Sequence, residues 1–279
     1  MPVSPVTFAA ALSCSAVVFA AQAPAYPWPQ ARDETQTLAS RFAPPEGYQR
    51  TREPRGSFGE WLRRLPLKKG CPDVLLFNGQ KKGNQAAHAA VVDIDVGDRD
   101  LQQCADAVMR LRAEFLRSAG QAAAVSFHFT SGDRCDLARW LEGWRPVVRG
   151  QAVRWTRSAA PDASYATFRR YLDTLFTYAG TQSLSKELRP VASPADMQVG
   201  DVFIQGGSPG HAVLVADMAV HAQTGKRLFL LVQSYMPAQE VHVLRNPSDA
   251  TLSPWYRGDF GGALVTPEWT FRASDLRRF

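Results

Sequence analysis

The sequence predicts an α+β fold in which an antiparallel sheet packs against helices. Residues 100–117 and 164–178 repeat apolar side chains three and four positions apart, which is the spacing of amphipathic helices. Near the end of the chain, three apolar runs are separated by polar or glycine-containing turns, at residues 201–204, 211–220 and 227–235. Strands, then helices, then a meander of strands favour an antiparallel sheet over an alternating parallel one.

Local signals place the shorter elements. Ser57 is a favourable N-cap and Pro66 a stop for a short helix between them. Asp100 is the expected N-cap of the longest helix, with Gln103 completing a capping box. Short helices are therefore expected at 57–65 and 139–141, and further strands at 74–77, 88–96, 125–129 and 146–155.

Composition narrows the class of protein. The chain has 279 residues, 45% hydrophobic and 21% charged, which is typical of a globular protein with a large core. No apolar run reaches the roughly 20 residues that span a bilayer, so no transmembrane bundle is expected. The net charge of +6 favours an anionic partner, such as peptidoglycan or another anionic envelope polymer. Basic residues are scattered rather than arranged in a stripe, so no nucleic-acid partner is expected. The oligomeric state stays open.

The N-terminal segment has the character of an export leader. Residues 7–25 are small and apolar, and residues 23–25 (APA) have the small-x-small form of a signal peptidase site. Cys14 leaves a lipoprotein-type leader open, and an uncleaved apolar anchor is a further alternative. We therefore expect an exported protein, periplasmic or lipid-anchored to the envelope. The expected organisation is a leader at 1–25, an extended lead-in at 26–56 and a single α+β domain at 57–279.

The most informative stretch is GDVFIQGGSPGHAVLVAD, residues 200–217. A Gly-Asp turn leads into a short strand, then a glycine-rich loop, then His211 at the start of the next strand. Glycines permit a tight turn and a close approach of the backbone, and a histidine at the strand start lies at the edge of the sheet. His211 is therefore a candidate functional residue.

This stretch resembles the papain-like cell-wall amidases and endopeptidases of the NlpC and CHAP type. The resemblance covers about residues 164–279 and implies a papain-like core. It implies that His211 is the catalytic base and that a polar residue on the following strand, Gln233, orients the imidazole. We expect the substrate groove to be bordered by Gly207, Ser208, Tyr235 and Trp255.

Nearly the whole chain also resembles the bacterial domain-of-unknown-function family 4846. The motifs that carry this resemblance are RDLQQCADAVMRLRAEFL, YAGTQSLSKEL, GDVFIQGGSPGHAV, LVQSYMPAQEVH and PEWTF, in that order. This resemblance implies no activity.

The nucleophile departs from the papain-like pattern. Where a cysteine should open the helix before the Gly-Asp strand, this chain has Thr167 and Phe168. Cys104 is the replacement candidate, because the free N–H groups and dipole of a helix N-terminus favour thiolate over thiol. Gln103 is expected to help stabilise an oxyanion, with Ser234 in support. The alternative is that Cys104 lies on the apolar helix face as a core residue.

The other cysteines and acidic residues suggest no cofactor. Without the leader three cysteines remain, an odd number that allows at most one disulfide. Cys71 and Cys135 are expected to be a disulfide pair or buried thiols. Asp93, Asp95 and Asp98 lie near His88, but their spacing matches no metal-binding motif. We therefore expect neither a metal nor another cofactor, and His88 is expected in the core rather than in the cleft.

Two function classes follow from the sequence. The first is a thiol-dependent amide hydrolase of the cell envelope with peptidoglycan as a candidate substrate, in which Cys104, His211 and Gln233 are catalytic. The second is a papain-like binding module that holds a cell-wall fragment or a partner protein without catalysis.

Overall fold

The computed structural model describes Met1, Tyr26, Trp28, Asp33 and residues 35–279. Apart from Met1, the predicted leader at 1–25 lies outside the described residues. Cleavage after Ala25 and lipidation at Cys14 therefore stay predictions.

The described chain folds into helices and strands, most of which are short. The α-helices are α1 (Leu38–Arg41), α2 (Phe58–Arg63), α3 (Cys104–Ser118), α4 (Leu137–Leu141), α5 (Tyr165–Tyr178) and α6 (Thr181–Glu187). Single 3-10 turns occur at Gln85–Ala87, Ala122–Ala124, Pro194–Asp196 and Ala273–Asp275. The first eight strands are β1 (Tyr48–Arg50), β2 (His88–Val91), β3 (Ser126–His128), β4 (Arg134–Asp136), β5 (Trp144–Arg149), β6 (Ala152–Arg157), β7 (Arg189–Pro190) and β8 (Val202–Gln205). The others are β9 (His211–His221), β10 (Arg227–Gln233), β11 (His242–Leu244), β12 (Tyr256–Arg257), β13 (Ala263–Val265), β14 (Thr270–Arg272) and β15 (Leu276–Arg278).

Nine of these strands form one antiparallel sheet, which confirms the predicted α+β class. The order is β2-β11-β10-β9-β8-β15-β7, with β1 also pairing with β9 and β12 with β10. Three hairpins, β3–β4, β5–β6 and β13–β14, stand apart from this sheet. The predicted meander is its centre: β8, β9 and β10 are consecutive in the chain and adjacent in space.

The central sheet is buried on both faces. Along β9, Ala212, Leu214 and Ala216 belong to the larger core cluster, which also contains the apolar sides of the helices. The alternate residues Val213 and Val215 belong to a second cluster on the other side. Because both faces are covered, β9 and β10 are almost continuously apolar, as the sequence runs indicated. No helix in the described part of the chain is long and apolar enough to cross a membrane.

The N-cap of helix α3 lies three residues later than predicted. Its N-cap is Gln103, whose backbone N–H donates to Asp106 Oδ2 at 3.1 Å. Asp100 is not the cap, because its Oδ1 accepts from the backbone N–H of Ala238 at 2.7 Å and from Gln103 Nε2 at 3.0 Å. The consequence is that Cys104 is the first residue of the helix. The other predicted cap, Ser57, is confirmed, and Ser164 is the N-cap of α5.

Several predicted strands change length. The segment 88–96 is a strand only as far as Val91. The segment 74–77 makes isolated bridges rather than a strand. The apolar run 146–155 is not one strand but the hairpin β5–β6, because Gly150 takes a left-handed turn conformation at φ +58°.

The expected lead-in is part of the folded domain. Tyr26 and Trp28 are buried and pack on Trp61, with ring centroids 4.9 Å and 6.1 Å from it. Further along this segment lie α1 and β1, and β1 pairs with the last three residues of β9. The segment is therefore not simply extended, because its aromatic residues bury apolar surface on α2.

A fully buried carboxylate fastens β1 and α2 to the central strand. Asp217 on β9 accepts from Arg50 Nε at 2.7 Å and from Arg63 Nε at 2.5 Å. The backbone N–H of the next residue, Met218, also donates to Asp217 Oδ1, at 2.8 Å. The carboxylate is thus compensated by two cations from different elements.

The Asp217→Asn variant should be markedly less stable. Removing the charge leaves two guanidinium groups without their carboxylate, and breaking a buried pair costs about 3 kcal/mol or more. Urea unfolding followed by circular dichroism measures the change. Asp259→Asn is the matched control, because Asp259 is exposed and its replacement should be close to neutral. Equal stability of the two variants would contradict a structural role for Asp217.

Candidate functional site

A cavity of about 480 Å³ opens where the start of α3 meets the start of β9. It contains both the candidate nucleophile and the candidate base, together with three of the predicted groove residues. Its lining residues include Gln103, Cys104, Asp106, Thr177, Thr181, Gly207, Ser208, His211, Tyr235, Met236 and Trp269.

Glycines hold the loop between β8 and β9 against α6. A Cβ atom at Gly206 would overlap Ser185 Oγ, and one at Gly210 would overlap Thr181 Oγ1. Thr181 donates its hydroxyl hydrogen to the carbonyl of Gly207 at 3.1 Å. The glycine-rich motif is therefore required for close packing, and that packing delivers His211 to the wall of the cavity.

Cys104 lies half-buried at the cavity wall, and the backbone N–H of Ala212 is one of its hydrogen-bond donors. The thiol is thus directly beside the residue that follows His211. Burial raises the pKa of the Cys104 thiol, the charge of Asp106 raises it further, and together they bring it to about 11. These effects outweigh the N–H groups at the helix start, which lower the pKa. The expectation of a resting thiolate is therefore wrong: the thiol is neutral near pH 7.

His211 is held by Gln233 on the adjacent strand. The two strands are antiparallel, and His211 Nε2 lies 2.8 Å from Gln233 Oε1, so the prediction that both side chains share one face is confirmed. The rings of Tyr235, Trp269 and Phe271 surround the imidazole at centroid distances of 4.7, 5.4 and 5.8 Å. Burial lowers the pKa of His211 to about 4, so the imidazole is neutral near pH 7.

Hydrogen bonds behind Gln233 determine which nitrogen of His211 carries the proton. Gln233 Nε2 donates to Glu268 Oε2 at 2.8 Å and lies 3.2 Å from His242 Nε2. His242 Nδ1 lies 2.8 Å from the carbonyl of Glu240, which can only accept, so His242 Nε2 is the acceptor. The amide nitrogen of Gln233 therefore faces two acceptors and its oxygen faces His211. His211 carries its proton on Nε2, which leaves a lone pair on Nδ1.

Glu268 and Lys82 complete this network, and sequence reasoning missed both. They form a buried ion pair, and Lys82 Nζ also lies 5.2 Å from the centre of the Tyr235 ring. Glu268 belongs to the PEWTF motif and Lys82 to a basic pair, but no local signal connects positions 186 residues apart in the chain. Trp269, next to Glu268, donates its indole N–H to Gln205 Oε1 at 3.0 Å and forms a cavity wall.

Two predicted site residues lie elsewhere. Ser234 is fully buried, with its hydroxyl 3.0 Å from the carbonyl of Gln102 and 2.8 Å from that of Gln239. It anchors the end of β10 to the turn before α3 and is not available to an oxyanion. Trp255 is 2% exposed within the core, and its indole N–H donates to the carbonyl of Ala43. Its predicted place in the groove is wrong.

The other candidate residues have structural surroundings. The three cysteines that the structure describes are free thiols. Of the two alternatives expected for Cys71 and Cys135, the disulfide is not formed, and Cys135 is a buried thiol whereas Cys71 is exposed. His88 is buried, with Nε2 2.9 Å from the carbonyl of Pro72. Asp95 pairs with arginines of α3 and α5. The described residues contain no group of three His, Cys, Asp or Glu side chains placed to hold a metal ion.

Comparison with known proteins identifies the family but not the activity. The family described as "Domain of unknown function (4846)" matches residues 38–278. The chain belongs to this family. Neither a curated protein nor a solved structure matches the chain. The match to domain-of-unknown-function family 4846 begins at α1, so it includes part of the predicted lead-in.

The orientation of the Gln233 amide should depend on Glu268. In the Glu268→Gln variant, the new side chain can donate as well as accept, so the amide of Gln233 can turn over and the preference of His211 for the Nε2 proton should weaken. Nitrogen-15 NMR of the imidazole measures the tautomer. Glu187→Gln, which replaces an acid that contacts His128 instead, is the control and should leave His211 unchanged. An unchanged His211 spectrum in Glu268→Gln would contradict this dependence.

Acid should destabilise the protein partly through His211. Its pKa is about 4 in the folded protein and 6.5 in the unfolded chain, so between these values only the unfolded chain binds the proton. The free energy of unfolding should therefore fall as the pH falls from about 6.5 to about 4. His211→Gln should reduce this slope in urea unfolding at a series of pH values. His242→Gln should do the same, because burial lowers the pKa of His242 to about 3. Slopes identical to wild type would contradict the assignment.

Proposed function

We propose that the protein is a thiol-dependent hydrolase that cleaves an amide bond. The observation that carries the proposal is the shared cavity of Cys104 and His211, in which Gln233 holds Nε2 of the imidazole and leaves Nδ1 unprotonated. A nucleophile, a base and a group that orients the base are the three parts that such catalysis requires.

In the proposed reaction, the Cys104 thiol gives its proton to His211 Nδ1 as the sulfur attacks the carbonyl carbon. The carbonyl electrons move to the oxygen, and their return breaks the C–N bond while the amine takes the proton from His211. Water then attacks the thioester, with His211 accepting its proton. The acid product leaves, and the proton returns to the sulfur. Burial keeps both groups neutral at rest, so the proton transfer accompanies the attack rather than preceding it.

The oxyanion in this reaction would be stabilised at the start of α3. The backbone N–H of Cys104 is at the first helical position, where no intrahelical acceptor exists. Gln103 lines the cavity and uses one amide hydrogen toward Asp100, so its second amide hydrogen is available. These two donors replace the predicted contribution of Ser234.

The arrangement of elements agrees with a papain-like core. A cysteine opens a helix that packs on an antiparallel sheet, and the base and its orienting residue follow on two adjacent strands. The apolar leader at 1–25 and the net charge of +6 support an envelope location and peptidoglycan as the substrate polymer.

One observation favours a binding module instead. A thiol with a pKa of about 11 beside an imidazole with a pKa of about 4 is no preformed thiolate–imidazolium pair. In that case the cavity would hold a wall fragment or a partner protein without turnover.

The substitutions Cys104→Ser and His211→Ala should each abolish hydrolysis of muropeptide substrates. Both should reach a similar floor, because nucleophile and base act as one unit whose losses do not add. Release of new amino groups at neutral pH measures the rate. Cys71→Ser is the matched control and should retain full activity, since Cys71 is an exposed free thiol. Turnover that survives Cys104→Ser would overturn the proposal.

The binding module has a different signature. It predicts no turnover by the wild type and equal affinity of the wild type and Cys104→Ser for a muropeptide fragment. Both functions share one expectation: in the Cys71→Ser background, iodoacetamide should modify Cys104 slowly near pH 7, and the rate should rise toward pH 11, because burial keeps the thiol protonated.

A further inference from the structure

A second cavity, of about 500 Å³, lies beside the candidate active site. Thr177 on α5 lines both cavities, so the two spaces are neighbours along this helix. The wall of the second cavity combines arginines with aromatic rings. Its lining residues are Arg99, Trp140, Arg145, Pro146, Arg170, Asp173, Thr174, Thr177 and Tyr178. Three guanidinium groups face one carboxylate in this lining, and we name it the arginine cavity.

Arg145 is immobilised in the wall of the arginine cavity. Its Nη1 donates to the carbonyls of Trp140 and Trp144, both at 2.7 Å. Its guanidinium lies 4.0 Å from the centre of the Trp140 ring, within the range of a cation–π contact. These contacts position the cation without neutralising it, because carbonyl oxygens and an aromatic face carry no net charge.

Arg170 brings a second cation close to the first. Its Nη2 donates to Thr167 Oγ1 at 2.5 Å and lies 3.6 Å from Asp162 Oδ2. Burial lowers the pKa of the Arg145 guanidinium, and the charge of Arg170 lowers it further, which reflects their mutual repulsion. Asp173, the one carboxylate of the lining, lies 3.9 Å from Arg99. Arg145 and Arg170 are therefore two like charges in the wall of one open space, and Asp162 compensates only part of their charge.

Such a pair favours an anion between its members. Two adjacent cations repel, and a group with two or three anionic oxygens replaces that repulsion by attraction. The planar guanidinium presents parallel N–H groups that match the oxygens of a carboxylate or a phosphate.

We propose that the arginine cavity binds an anionic group, a carboxylate or a phosphate, of the substrate that is cleaved at Cys104. This inference rests on the proposed function for the identity of the ligand as a substrate, whereas anion binding itself does not. Thr177 and Arg170 are seven residues apart on α5, about 10 Å at the rise of a helix. An extended peptide covers this distance in about three residues. The substrate therefore carries its negative charge about three residue lengths from the part of it that lies at Thr177.

Binding of defined probes tests the anion site without turnover. The full chain carrying Cys104→Ser is titrated calorimetrically with three probes: an N-acetylated tetrapeptide with a free terminal carboxylate, the same peptide as its terminal amide, and glycerol phosphate. We expect the carboxylate peptide or glycerol phosphate to bind about tenfold or more tightly than the amide peptide. A preference for one of the two anions identifies the source of the charge. Equal binding of the carboxylate and amide peptides, with no binding of glycerol phosphate, would overturn the inference.

Variants locate the binding in the arginine cavity. Arg170→Gln and Arg145→Gln should each weaken anion binding about tenfold, because each removes one of the two guanidinium groups that bind the anion in this proposal. Arg154→Gln is the matched control, since Arg154 is exposed on β6 and its replacement removes the same charge. Arg170 is 60% exposed, so its variant tests the site even if Arg145→Gln lowers the melting temperature. Equal loss in Arg154→Gln and Arg170→Gln would show only a general charge effect and would overturn the assignment.

Turnover by the otherwise wild-type chain separates this inference from the proposed function. If amides are cleaved, substrates with the anionic group should have a higher kcat/KM than neutral twins, and Arg170→Gln should remove that difference. Cleavage with no such preference overturns the inference and leaves the hydrolase in place. Anion binding that depends on Arg170, with no cleavage by the wild type, supports the anion site and overturns the hydrolase.

Discussion

The orientation of one side-chain amide underlies the chemistry of the candidate site. Gln233 presents its oxygen to His211 only because its nitrogen faces Glu268 and His242, both of which accept. Glu268 in turn forms an ion pair with Lys82. A reversed amide would place an N–H group against His211 Nε2 and would move the ring proton to Nδ1, where a base needs its lone pair. The lysine, the glutamate and the second histidine thus act on the reaction through the tautomer of His211.

Burial of the sheet on both faces has a cost for the reactive groups. The same packing that brings α3 against β9 excludes water from Cys104 and His211, which raises the pKa of the thiol and lowers that of the imidazole. In the proposed hydrolase the Cys104 thiol and the His211 imidazole are therefore both neutral at rest, and charge develops only once the substrate is bound. The backbone N–H of Cys104 and the side-chain amide of Gln103 are better suited to stabilise a forming oxyanion than a resting thiolate.

The walls of the two cavities differ in charge. The wall of the candidate active site is largely uncharged, apart from Asp100 and Asp106, whereas the adjoining arginine cavity holds three guanidinium groups. An uncharged wall suits an amide, and a cationic neighbour suits an anionic group on the same molecule. Helix α5 connects the two spaces and determines the distance between them.

Local signals were sufficient for part of this description. The helix cap at Ser57, apolar periodicity and the glycine-rich loop predicted the central elements and placed His211 beside Gln233, because hairpin register follows from the short turn between two strands. Contacts between distant segments decided the rest. Asp100 accepts a hydrogen bond from the backbone of Ala238 and does not cap α3, and Trp255 lies in the core rather than in the groove. Lys82 contacts Glu268, which is 186 positions away in the chain. Cys104 and His211 share a cavity because α3 packs on β9, and such packing depends on the summed burial of many side chains rather than on any neighbouring residue in the sequence.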